Sequence, residues 1–145
     1  MATKKKLGWY GVRTLVRVVA SGKPKMVDKN FDPNATLLED RVVLFQADSF
    51  ESAIKQAKDE AQRYCKSIEF VNIYGQKVRL KFLKTADAFS LMDQEPSAGC
   101  EVYSSTVLVP ESVSNADLLV GRLGKAEKGG SAARLKFIPG ELLKK

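Results

Sequence analysis

Apolar and polar residues alternate between Trp9 and Val19: Tyr10, Val12, Thr14, Val16 and Val18 share one face, and Trp9, Arg13, Leu15 and Arg17 the other. A period of two in β-branched residues predicts a half-buried strand. Ser21-Gly22-Lys23-Pro24 stops it. Residues 22–38 show no period, and Asp32-Pro33-Asn34 within them is turn chemistry. Connections of that length are often functional or disordered. Val42-Val43-Leu44-Phe45 then run consecutively within Arg41 to Ala47, which predicts a central strand covered on both faces.

The period changes after Ala47. Phe50, Ala53, Ile54, Ala57, Ala61, Tyr64 and Cys65 recur at three and four, while Lys55, Lys58, Asp59, Gln62 and Arg63 occupy the opposite side. This pattern predicts an amphipathic helix over about 48–66, with Ile54 and Ala57 buried. Asp48 and Glu51 stand at capping-box spacing before it. Phe70 to Tyr74 reads as a short strand or turn entry closed by Gly75. Val78 to Leu83 and Ala88 to Met92 read as two further strands, and Cys100 to Val109 as a long final one, hairpinned across the loop 94–99. Ser114 and Asp117 repeat the capping spacing before a short stripe of Ala116, Leu119, Val120 and Leu123, with Gly124 as its stop. Leu135, Phe137, Ile138, Leu142 and Leu143 make the end of the chain either a docked tail or a segment that orders against a partner.

Strand, strand, helix, several strands, helix is the order of an α+β fold. The expected architecture is an antiparallel sheet of about four to six strands with two helices packed on one face. The expected organisation is a basic N-terminal tail over residues 1–8, a single domain over 9–124, and a Gly/Lys linker with a C-terminal tail over 125–145. A chain of 145 residues is one domain's worth, and 44% apolar with 28% charged residues is a globular composition.

Charge changes the picture more than composition does. The net charge is +7, and residues 1–30 carry eight Lys/Arg against one Asp. The excess therefore lies on the first strand and its flanks, where it favours an anionic partner over a cationic one. Lys4 to Lys6 read as a solvated tail. Lys23, Lys25 and Lys29 make the loop a candidate contact.

Conventional catalytic chemistry is thin. With no histidine, Ser-His-Asp and Cys-His catalysis in their usual forms are excluded, as is the commonest zinc ligand. Cys65 and Cys100 form no CxxC pair, and a cysteine on an apolar stripe is more often a small core residue than a reactive thiol. Gly121-Arg122-Leu123-Gly124-Lys125 lacks the earlier glycine and the following Ser/Thr of a phosphate loop. No cofactor or metal is expected. No apolar segment follows the basic start, no run is long enough for a membrane span, and the sparse cysteines suit a reducing compartment, so the expected location is cytoplasmic.

Three stretches are more particular: Trp9-Tyr10-Gly11-Val12-Arg13; Arg41-Val42-Val43-Leu44-Phe45-Gln46-Ala47-Asp48-Ser49-Phe50-Glu51; and Gly99-Cys100-Glu101-Val102-Tyr103-Ser104. Together they resemble a small bacterial family, domain of unknown function 4288, over roughly residues 9–124. The resemblance implies no activity, because the family itself is uncharacterised.

The constellation left to explain is the outer face of the sheet, with Trp9, Arg13, Leu15 and Arg17 on the first strand and Arg79 and Lys81 on a later one. Outward Arg and Lys are ordinary on a one-sided antiparallel sheet. Large apolar groups beside arginine are also typical of interface cores. The leading expectation is thus a non-enzymatic interaction module, a homodimer that meets a protein or other anionic partner. Aromatic and basic groups on one surface also suit single-stranded nucleic acid. A small-ligand binder or enzyme whose site converges only in the fold is the third reading.

Overall fold

The computed structural model describes residues 3–92, 94–123 and 134–143. β1 (Gly8–Ser21) and β2 (Leu37–Ala47) are followed by α1 (Phe50–Ser67), β3 (Glu69–Val71), β4 (Lys77–Ser90) and α2 (Asn115–Leu123). The four strands form one antiparallel sheet in the order β2-β1-β4-β3. This is the α+β architecture expected, with four strands.

β1 lies in the middle because its alternation supplies one fully apolar face. Val12 and Val16 are completely buried and Val18 nearly so. α1 covers that face. Ala53, Ala57 and Ala61 are its buried residues, spaced to form one ridge of small side chains that lets the helix lie close to the strands. Val12, Ala47, Ala53 and Ala57 form the core, with Tyr10, Phe45, Ala86 and Ala88 packed round it. α2 is exposed at every position described except Leu118, which is half-buried.

Local chemistry differs from the sequence reading in several places. The α1 cap is Ser49, whose Oγ accepts from the Ser52 amide at 3.1 Å; the helix starts one residue beyond the expected Asp48 cap. A hydroxyl two bonds from the backbone reaches the third amide as readily as the carboxylate does. Phe50 is 47% exposed and Ile54 half-buried, so the buried stripe is narrower than its periodicity suggested. At the other helix, Ser114 Oγ accepts from Asp117 N at 3.1 Å, the expected cap. Leu123 ends α2, and the stop expected at Gly124 and the linker 125–131 fall outside the described residues.

β2 is an edge strand, not a central one. It pairs with β1 alone, and its alternate residues Leu38 and Val42 are 57% and 42% exposed. A run of apolar residues does not distinguish a two-sided interior from an edge whose outer face stays open. The two strands expected at 78–83 and 88–92 are one, β4, broken by a bulge. Its register to β1 slips between Thr14 and Val16, and Lys84 there holds a left-handed φ of 58°. The expected final strand 100–109 pairs with no strand among the described residues, so no hairpin is seen; β-prone residues do not make a strand without a ladder to join. The end of the chain is docked. Its residues 134–143 form two short 3-10 turns, and Asn72 bridges to Pro139. Asn72 Nδ2 donates to the Lys136 carbonyl at 2.7 Å, and the buried Lys136 ammonium donates to the carbonyls of Asp32 and Ala35. The long loop is thereby held from beneath, and the Asp28 carboxylate accepts from Tyr74 Oη. No helix among the described residues is long and apolar enough to cross a membrane.

Candidate functional site

The register assigns every residue of the outer face. Trp9 faces Gln46, Arg13 faces Val42, Leu15 faces Asp40 and Arg17 faces Leu38 across β2. On the other side Arg13 faces Asp87, Arg17 faces Lys81 and Val19 faces Arg79. All six predicted face residues therefore lie on the surface opposite α1, but they form two groups. Eight positions of strand separate Trp9 from Arg17, roughly 26 Å.

The Trp9–Arg13 end is covered by the chain itself. The segment 100–104 crosses β1 at Gly11, so closely that a Cβ there would stand 1.6 Å from the Val102 carbonyl oxygen. Only glycine fits that approach. Tyr103 then reaches back to donate a short hydrogen bond to the Asp87 carboxylate, and its ring meets Phe89 edge to face at 6.4 Å. Arg13 makes a bidentate pair with Asp40, at 2.7 and 2.6 Å. That pair and Tyr103 raise the Arg13 pKa further. Burial, then the bond to Asp87, pushes the Tyr103 phenol up. Arg13 is thus committed within the fold, and Trp9 is half-buried.

The Arg17–Lys81 end is open. Arg17 Nε donates to Thr36 Oγ1, and Arg79 and Lys77 share Glu69, whose carboxyl they hold below its usual range, Lys77 foremost. Lys81 has no ion-pair partner among the described residues. On the α1 side of the same stretch of β4 lies a groove of about 340 Å³ lined by Gln62, Cys65, Lys66, Leu80, Lys81, Phe82 and Lys84. The groove lies where β3 no longer flanks β4, since β3 pairs only with Lys77 to Arg79. Burial pushes the Cys65 thiol up, so it is a protonated thiol near neutrality. Lys66 and Lys84 were not singled out by sequence. Two lysines 18 positions apart show no relation until the α1–β3 turn and the β4 bulge bring them together.

The loop candidates behave differently from one another. Lys23 and Lys29 are exposed. The Lys25 amide donates to the Tyr74 carbonyl at 2.8 Å, and its side chain lines a second open groove of about 830 Å³ with Met26, Val71 and Pro139. Among the described residues no group of three or more His, Cys, Asp or Glu is placed to hold a metal ion.

Two further surfaces lack a partner. Residues 104–109 have no regular secondary structure and are exposed throughout; Val107, Leu108 and Val109 are 57%, 104% and 46% exposed, and Leu119 and Val120 on α2 are open as well. The free edge of β2 is the other. Gln46 gives its carbonyl to Gln56 Nε2, and the Trp9 carbonyl opposite is taken by Leu91 N on the β4 side. By alternation, the backbone groups of Leu38, Asp40, Val42 and Leu44 turn outward with that of Gln46.

Compared with known proteins, residues 9–104 match the model of a family described as Domain of unknown function (DUF4288). No curated protein and no solved structure matches the chain.

Proposed function

Since the chain belongs to the DUF4288 family, whose description assigns no activity, we propose its function from its surface: a non-enzymatic interaction module that works as a homodimer and meets an anionic partner. The observation that carries this reading is the run Val107-Leu108-Val109, three consecutive apolar side chains exposed to solvent, with Leu119 and Val120 on α2 exposed as well. An exposed apolar run on a small domain marks an interaction site. Ser104-Ser105-Thr106-Val107-Leu108-Val109 has strand-forming composition and no ladder. The outer edge of β2 has a ladder's worth of free amides and carbonyls and no strand. Each supplies what the other lacks, so in a two-fold pair the segment of one copy extends the sheet of its mate. The nucleic-acid reading loses support from the geometry. Its stacking aromatic, Trp9, lies at the far end of β1 from Arg17 and Lys81, and Arg13 between them is neutralised by Asp40.

Light scattering after size exclusion tests the dimer. The wild type is expected to run as a dimer at high micromolar concentration. Leu108→Asp, at a fully exposed position, is expected to give a monomer with an unchanged thermal melt. A wild-type monomer at that concentration, or a dimer indifferent to Leu108→Asp, overturns the reading.

A further inference from the structure

Two lysines border the gap between α1 and β4: Lys66 comes from the last turn of α1 and Lys84 from the bulge, and both line the 340 Å³ groove, which no carboxylate lines. The acidic groups nearest in sequence are already engaged: Asp59 with Lys55, Glu60 with Arg41, and Glu69 with Lys77 and Arg79. Lys84 adds backbone strain, because its φ of 58° belongs to a region that residues other than glycine rarely enter. Strain and uncompensated charge in one place persist where a ligand's binding offsets them.

We propose that this groove binds a compact phosphate-bearing anion, held by the ammonium groups of Lys66 and Lys84. Lysine serves phosphate as a mobile point charge. Gln62 supplies a neutral donor at the rim, and Leu80 and Phe82 an apolar floor. The volume falls within the range of small-molecule sites. The protonated Cys65 thiol adds no competing negative charge. This site deepens the anionic-partner half of the function proposed above, and it does not require the dimer.

Calorimetric titration with inorganic pyrophosphate at low salt is the test, run on wild type and on the Leu108→Asp variant. One site per chain is expected in both, weakening as salt rises. Lys66→Ala and Lys84→Ala are each expected to weaken binding roughly tenfold, the loss of one charge-assisted contact. Lys58→Ala, on the solvent side of α1, is expected to change nothing. Amide chemical-shift changes in the wild type, confined to residues 62–66 and 80–84, support the site without relying on a variant. The proposal is overturned by absence of binding at low salt, by equal loss in Lys58→Ala, by shift changes elsewhere only, or by a hexaglutamate peptide that binds as tightly. Because the Leu108→Asp chain is titrated in parallel, failure of the dimer and failure of the groove give different results.

Discussion

Gly11→Ala isolates one contact of this fold. The new methyl group would stand 1.6 Å from the Val102 oxygen and 2.8 Å from its carbonyl carbon, both backbone atoms that no rotamer change can move. Restoring van der Waals separation requires the crossing segment to withdraw by about 2 Å. At that distance the Tyr103 hydroxyl leaves Asp87 and the ring leaves Phe89. The aromatic contact is worth about 0.5–1.5 kcal/mol, and the hydrogen bond to a carboxylate about 1 kcal/mol at this exposed site. Replacing glycine within a strand returns about 0.4–1 kcal/mol through the unfolded chain. The expected net loss is about 1–2 kcal/mol. A thermal or urea melt reads it directly, at roughly 3 °C per kcal/mol for a chain of this size. A double-mutant cycle sharpens the test: Tyr103→Phe is expected to cost stability in the wild type and almost nothing beside Gly11→Ala. A Gly11→Ala protein as stable as the wild type, or additive costs in the cycle, would refute the crossing of Val102 over β1.

Two further substitutions probe other joints. Asn72→Ala strips partners from the Tyr74 and Gln76 amides and from the Lys136 carbonyl, all at a buried position; a loss of about 3 kcal/mol in a denaturant melt, with faster proteolysis within 134–143, is expected. Tyr64 donates to Glu39 and lies under the Arg41 guanidinium, and burial followed by the Glu39 bond pushes its pKa up to about 12. A phenol that holds its proton more tightly folded than unfolded stabilises the fold below its unfolded pKa near 10 and loses that contribution as pH rises toward 12. Wild-type stability is therefore expected to fall more steeply than that of Tyr64→Phe between pH 10 and 12, and parallel curves would count against it.

Much of the fold could be read from periodicity because single faces are buried. Val12, Val16 and Val18 alternate on β1, and Ala53, Ala57 and Ala61 recur on α1, since one apolar layer separates the sheet from one helix. What periodicity missed has a common physical origin. Residue type reports burial and backbone preference, not which neighbour supplies them. Val42 to Phe45 look the same at an edge as at the centre of a sheet. Thr106 to Val109 look like strand whether or not a ladder awaits them. Lys84 bends a strand by adopting a φ that its side chain does not advertise. At the candidate site, the face residues Arg17 and Lys81 were recognisable as outward cations. Lys66 and Lys84 were not, because their meeting depends on how short β3 is and on a register slip within β4.

The strand order has a bearing on how the chain reaches this state. β1 lies inside the sheet, and its ladder with β4 joins residues far apart in sequence: Tyr10 against Ser90 and Ser21 against Lys77, the latter 56 positions apart. Closing such separations is entropically costly before any contact repays it, and folding rates fall as native contacts become less local. The β1–β2 pair and α1 join nearer neighbours, so the flank of β1 that β4 covers is the part of the sheet whose closure costs the most chain entropy. Without β4, that flank would present unpaired amides and carbonyls beside an apolar surface, the combination that recruits foreign strands.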